Sequence, residues 1–332
     1  MSSIFYRASG VAAASLAIAH AHAQSAMTGS AGAYPAKPVR IVVGFVPGGG
    51  SDFIARLVAQ KITEPLGRSV LIDNRPGAGG VIATEYVARQ AADGYTLLLT
   101  SAGPNGIVPA MSAKITYDPL KDFDAITQVV NMPFMMAVHP SLPAKNVKEL
   151  ITLARARPGQ LNYGSAGHGS TNHLVGEILK LYANIQLTHV PYKGVAAAMT
   201  DAIAGQIQIM SGDLVTIWPQ AKTGKLRALA VTSAKRSTLT PTIPTIAESG
   251  VPGFDTSGWF GVLAPAGTPR AINERLHSEI VKGITAADAR ERLSAMGGDV
   301  VASSSADFAA FMRADHAKWA KVVVAAGLRE SP

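Results

Sequence analysis

Glycine and small hydroxyl residues cluster twice in this chain, each time between an apolar run and a helix-forming run. The first cluster is Pro47, Gly48, Gly49, Gly50, Ser51 and Asp52, after the apolar run 39–45 and before a helix predicted over 53–62. The second runs from Gly164 through Ser165, Ala166, Gly167, His168 and Gly169 to Ser170 and Thr171, before a helix predicted over 172–181. The first N–H groups of a helix lack intrahelical acceptors and sit at the positive end of its dipole. A glycine-rich approach leaves them open to an anionic oxygen. Two such loops predict two domains gripping one carboxylate-bearing ligand between them. A plainer reading is that the glycines only let the backbone turn tightly from strand to helix.

Other chemistries fit less well. The spacing from Gly44 to Gly49 matches the start of a phosphate loop, but Gly50 stands where the lysine should be, so a nucleotide phosphate would find no countercharge. The segment from Tyr163 to Gly167 approaches the G-x-S-x-G nucleophile elbow around Ser165, yet Tyr163 crowds the first glycine position. His173, His189 and several aspartates complete a serine triad on paper, and a secreted serine hydrolase stands as one alternative. Ser165 and Ser170 make better sense as hydroxyl donors to a carboxylate. His168 and His173 lie five apart, and no acidic partner at helical spacing joins them both, so no metal is expected. Tyr192 and Lys193 end a predicted strand on the cleft side, where the Tyr192 hydroxyl can reach a ligand. Asp213 either selects a polar or amine group on that ligand or caps the helix after it.

The elements that must hold these residues alternate. Strands are predicted over 39–45, 70–73, 95–100, 186–190, 206–210 and 227–232, with helices over 81–90, 196–204 and 215–222 between them. Such alternation predicts right-handed βαβ crossovers in a three-layer α/β sandwich, with ligands outside the carboxyl ends of the strands. Two extended apolar stretches, 126–139 and 258–265, lack helical periodicity and read as domain crossings. They divide the chain into a first domain of 34–131 plus 260–332 and a second of 132–259. Helices over 269–282 and 306–326 are expected to pack on the first domain.

The chain has 332 residues, 48% apolar and 16% charged, which places it among globular proteins of two ordinary domains. It has no cysteine, hence neither disulfides nor thiolate chemistry. Its net charge of +8 is dispersed, without basic blocks or interleaved aromatics, so nucleic acid is not an expected partner. Arg7, the apolar stretch 10–19 and the Ala21-His22-Ala23 site read as a signal peptide over 1–23, which predicts export. Residues 24–33 read as a flexible leader.

The motifs also resemble a family. Tyr-Pro-Ala-Lys-Pro-Val-Arg-Ile-Val-Val (34–43), Pro-Gly-Gly-Gly-Ser-Asp (47–52), Asn-Arg-Pro-Gly-Ala-Gly-Gly (74–80) and Asp-Gly-Tyr-Thr-Leu (93–97) resemble the extracytoplasmic receptors of tripartite tricarboxylate transporters, the Bug family. Leu-Asn-Tyr-Gly-Ser-Ala-Gly (161–167), His-Val-Pro-Tyr-Lys-Gly (189–194), Lys-Leu-Arg-Ala-Leu-Ala-Val-Thr-Ser (225–233) and the run 259–269 carry the resemblance through the chain. It implies an α/β protein with the type II periplasmic-binding-protein fold, two α/β domains with a ligand cleft between them and two crossing strands. It implies a non-enzymatic, cofactor-free monomer in the periplasm that captures a small carboxylate by hinge closure, partly through ordered waters. A large and a small membrane permease subunit would receive the ligand; a sensor role with a membrane kinase is the alternative. By motif position the ligand residues are 47–52 in one domain and 165–171 with His173 and Tyr192 in the other, with Ser101 a further carry-over. Two departures bear on ligand identity: Gly44 and Val46 replace frequent prolines, and Pro104 interrupts 101–106.

Overall fold

The computed structural model describes residues 34–112 and 114–329. The predicted signal peptide and leader lie outside the described residues. The described residues from Lys37 onward form one compact unit. Among the described residues no helix is long and apolar enough to cross a membrane.

The first half of the chain builds β1 (Val39–Val43), α1 (Gly50–Leu66), β2 (Val70–Asn74), α2 (Val81–Ala88) and β3 (Thr96–Ser101). β1 pairs in parallel with both β2 and β3. The run Leu97, Leu98 and Leu99 is almost wholly buried, as a strand covered on both faces requires. α1 stops at Gly67, whose left-handed φ of 67° lets its N–H return to the Glu64 carbonyl. Between β3 and the short helix α3 (Val108–Met111), the segment Gly103–Ile107 forms a buried π turn rather than the open loop its glycines and proline suggest.

β4 (Phe123–Val138) is the longest strand, and the sheet is organised around it. Its first part pairs antiparallel with β9 (Ser257–Pro265) and with the two-residue β10 (Asp299–Val300). Its last five residues pair antiparallel with β7 (Ile209–Asp213) and β8 (Arg227–Val231). β5 (Asn162–Ser165) runs parallel to β7 and to β6 (Thr188–Pro191). The strand order β2-β1-β3-β9-β4-β7-β5-β6 thus joins two α/β halves through β4 and the start of β9. All-parallel crossovers do not describe it: the two long strands enter antiparallel, so each half mixes parallel and antiparallel pairs.

The remaining helices cover these strands. α4 (Val147–Ala156) has no counterpart in the sequence reading. It begins at a side-chain cap, with Asn146 Oδ1 accepting the Glu149 N–H, and Glu149 Oε2 accepts the N–H of Lys145 one residue before the cap. α5 (Thr171–Ala183), α6 (Val195–Ile203) and α7 (Leu214–Lys222) follow β5, β6 and β7. α8 (Arg270–Thr285), α9 (Ala287–Ala295) and α10 (Ser305–Ala325) pack on the first half. There Trp319 of α10 is fully buried, and its indole shares the Asp315 carboxylate with Trp259 of β9.

Candidate functional site

The two glycine-rich loops lie at the carboxyl ends of β1 and β5 and run into α1 and α5. Between them is a narrow chamber with a cavity volume of about 40 Å³. Gly49, Gly50, Ser51 and Ser101 line it from one half; Ala166, Ser170, Thr171, Asn172 and Asp213 line it from the other. Phe45, Phe134, Trp259 and Phe260 supply aromatic walls. Helix starts, hydroxyls and apolar rings make a site suited to a small anion with an apolar body.

The halves meet closely around this chamber. A Cβ on Gly50 would lie 2.6 Å from Asp213 Oδ2, so only glycine lets the start of α1 approach that carboxylate. Gly194 faces Val46 in the same manner, and Gly79 and Gly103 abut the Gly169 backbone.

The first loop is held from behind. Asp52, predicted to face the ligand, is absent from the chamber lining. Its carboxylate accepts the Gly48 N–H at 3.2 Å, the Asn74 amide at 3.0 Å and both Arg56 nitrogens at 2.9 and 3.1 Å. Burial raises its pKa, but those donors outweigh burial and hold it below the usual carboxylate range. Pro47 and Gly48 also stand off the chamber and shape the turn, Gly48 at a φ of 92°. Gly49, the residue before α1, contributes no side-chain cap.

The second loop is more tightly knit. Ser170 Oγ accepts the His173 N–H and donates to the Gly167 carbonyl at 2.6 Å. His173 Nδ1 accepts the Gly169 N–H, and Asn172 Oδ1 that of Ala166. Ser165 is fully buried; its hydroxyl lies 2.6 Å from His189 Nε2 and accepts the Gly167 N–H. The Tyr192 hydroxyl donates to Asp201 at 2.7 Å, and burial, with that hydrogen bond second, raises its pKa to about 12. Gly167 and Tyr192 border a neighbouring cavity rather than the chamber, and His173 lines neither. Of the second-half ligand residues expected from sequence, the chamber gathers Ala166, Ser170, Thr171 and Asp213; Ser165, Gly167, His173 and Tyr192 frame it.

His168, His173 and His189 come together with ring nitrogens within 4.8 Å of one another, a grouping able to hold a metal ion. The pairing of His168 with His173 was visible in the sequence; His189, sixteen positions later on β6, comes in only through the β5–β6 register that sets Tyr163 beside it. Burial first, then the neighbouring histidines, depresses the pKa of His173 and His189 to about 3, so both rings are neutral at pH 7. The His173 and His189 rings stack at 4.1 Å between centroids, and each spends one ring nitrogen on a protein partner.

Asp213 is the last residue of β7 and precedes α7, but its side chain makes no cap hydrogen bond. It is 5% exposed, and its Oδ1 has no hydrogen-bond partner. Burial pushes its pKa up to about 6, against a smaller pull from the Gly50 and Asp213 backbone N–H groups. Phe45, Phe134, Asn172, Trp259 and Phe260 were not foreseen in the lining; apolar strand-end residues carry no local mark separating a chamber wall from core.

Two α/β halves on crossing strands, with a chamber at the starts of two helices, define a periplasmic solute-binding protein of type II fold. The model of the tripartite tricarboxylate transporter family receptor matches residues 54–328, and the chain belongs to that family. It is 35% identical over 301 residues to protein BugT of Bordetella pertussis, covering 90% of this chain and 92% of BugT. The periplasmic binding protein BugD superposes with a TM-score of 0.86 at 33% identity, over 90% of this chain and 100% of BugD. A structure of R. palustris Rpa4515 with adipate superposes with a TM-score of 0.86 at 37% identity, over 89% of this chain and 98% of that one. The family is one of substrate-binding receptors, not enzymes, so the contact between Ser165 and His189 is part of the loop's frame and the hydrolase alternative is set aside.

Proposed function

We propose that the chain is the extracytoplasmic receptor that captures a small organic carboxylate between its halves and hands it to a two-subunit membrane permease. The observation carrying this reading is the chamber bounded by the starts of both α1 and α5, with hydroxyls from Ser51, Ser101 and Thr171 around it. The adipate held by a structural relative is a small organic carboxylate. In this reading the first domain is 34–131 plus 260–332 and the second 132–259, with export directed by the first 23 residues. The hinge lies where β4 and β9 pass from one half to the other, and closure brings Gly50 against Asp213. The protein acts as a monomer and needs no cofactor.

Thermal shifts of the exported chain against di- and tricarboxylates, aromatic acids and amino acids test this. A ligand at one hundred times its dissociation constant adds about 2.7 kcal/mol. Ser51→Ala and Thr171→Ala, one from each half, should each weaken the responding acid in calorimetric titration without lowering the unliganded melting temperature. Unchanged affinity in both variants rules out the chamber as the binding site. Uptake of the same acid should stop when the permease subunits are deleted; a surviving uptake with a lost transcriptional response would favour the sensor role.

A further inference from the structure

We infer that the ligand carries a positively charged nitrogen as well as its carboxylate, and that Asp213 takes that nitrogen. This rests on the carboxylate-receptor reading and narrows it to zwitterionic acids. Asp213 lines the chamber, is 5% exposed, and leaves Oδ1 without a hydrogen-bond partner. It is the one charged side chain among the described residues lining that chamber; no lysine, arginine or histidine faces it there. A buried carboxylate with an unused oxygen is costly unless something neutralises or hydrogen-bonds it. The protein supplies neither at Oδ1, which leaves the ligand to do so.

The lining of the chamber then divides the work by charge, with Asp213 lying beside Gly50 at the start of α1. The start of α5 and the hydroxyls of Ser51, Ser101 and Thr171 suit the ligand's anionic end, since the Gly50 N–H of α1 already serves Asp213. Asp213, with the rings of Phe45, Phe134, Trp259 and Phe260 around the same space, suits a cation, because an ammonium can donate to the free oxygen and aromatic rings can attract positive charge. A doubly ionised dicarboxylate would instead set a second negative charge into a site that already holds one.

Calorimetric titration of the exported chain with matched probes tests the assignment. An aliphatic set is γ-aminobutyrate, glutarate and butylamine; an aromatic set is para-aminomethylbenzoate, terephthalate and benzylamine. The aminocarboxylate of at least one set should bind tenfold or more tighter than its dicarboxylate, and Asp213→Asn should erase or invert that ratio. A dicarboxylate binding as tightly as its aminocarboxylate overturns the inference and leaves the carboxylate reading standing. An amine binding as tightly as its aminocarboxylate, with the loss in Asp213→Asn, overturns the carboxylate reading and leaves the role of Asp213. Silence of all six counts against both. The melting temperature of Asp213→Asn reports its folding, and if it does not fold, the selectivity of the unaltered chain decides alone.

Discussion

The two glycine-rich loops read alike in sequence, yet they are built in opposite ways. The second closes on itself: Ser170 caps α5, His173 and Asn172 take loop N–H groups, and Ser165 ties its start to its middle. The first has no side-chain cap at Gly49, is braced from behind by Asp52, and meets Asp213 from the other half. A helix start thus becomes a binding surface through what its neighbouring side chains leave unused, and glycine content alone does not reveal that. The second loop is a rigid wall, the first an open end faced by a carboxylate.

The largest test of this contrast uses Asp213. Its pKa is raised from 3.8 to about 6 in the folded chain, so folding favours its protonated form. That contribution is complete below the unfolded value and is lost as pH rises through the folded one, about 3 kcal/mol in all. In urea titrations between about pH 4 and about pH 7, the parent chain should lose most of that, about 2.4 kcal/mol, relative to Asp213→Asn; parallel curves would place the carboxylate in contact with water.

Asp52→Ala comes next, at about 2 kcal/mol, because it strands the Gly48 N–H, the Asn74 amide and Arg56. Its pH sign is opposite to that of Asp213. With the folded pKa lowered, the stabilisation by Asp52 is present above the ordinary aspartate range and fades as pH falls through the folded value. A variant as acid-resistant as the parent would remove Asp52 from the account of the first loop.

Ser170→Ala should cost about 1 kcal/mol, the usual loss of a helix cap, read as a lower urea midpoint at unchanged slope. Smallest of all, Gly49→Ala should stay within about 0.5 kcal/mol, since its φ of −91° suits any residue and nothing lies within 4 Å of the added methyl. A loss at Gly49 equal to that at Ser170 would mean the two starts are not built differently.

Much of this was legible locally. The elements over 39–43, 81–88 and 305–325 were readable because apolar periodicity and capping residues sit within a few positions of one another. What escaped depends on partners far along the chain. Ser211 and Gly212 look like a turn, so the strand was expected to end at Met210, with Asp213 beyond it. Pairing of Phe134 with Asp213 and Met135 with Gly212 extends β7 to Asp213 and so delivers its carboxylate to the chamber. Tyr192 was expected on the ligand, but α6 presents Asp201 to its hydroxyl, a contact set by helix packing. The antiparallel entry of β4 and β9 likewise left no local trace, because an extended apolar run does not state its direction.

Trp259 deserves a last thought as an instrument. The chain has three tryptophans, and this one forms part of the chamber wall while its indole nitrogen is anchored at 2.9 Å to Asp315. Its ring therefore borders the chamber from a fixed position, whereas Trp319 lies fully buried and donates to the same carboxylate. Occupancy of the chamber changes the medium beside Trp259 and leaves the buried Trp319 in constant surroundings, while Trp218 on α7 lines no part of the chamber. The molecule thus contains its own optical gauge, with an internal reference, that reads filling without a label.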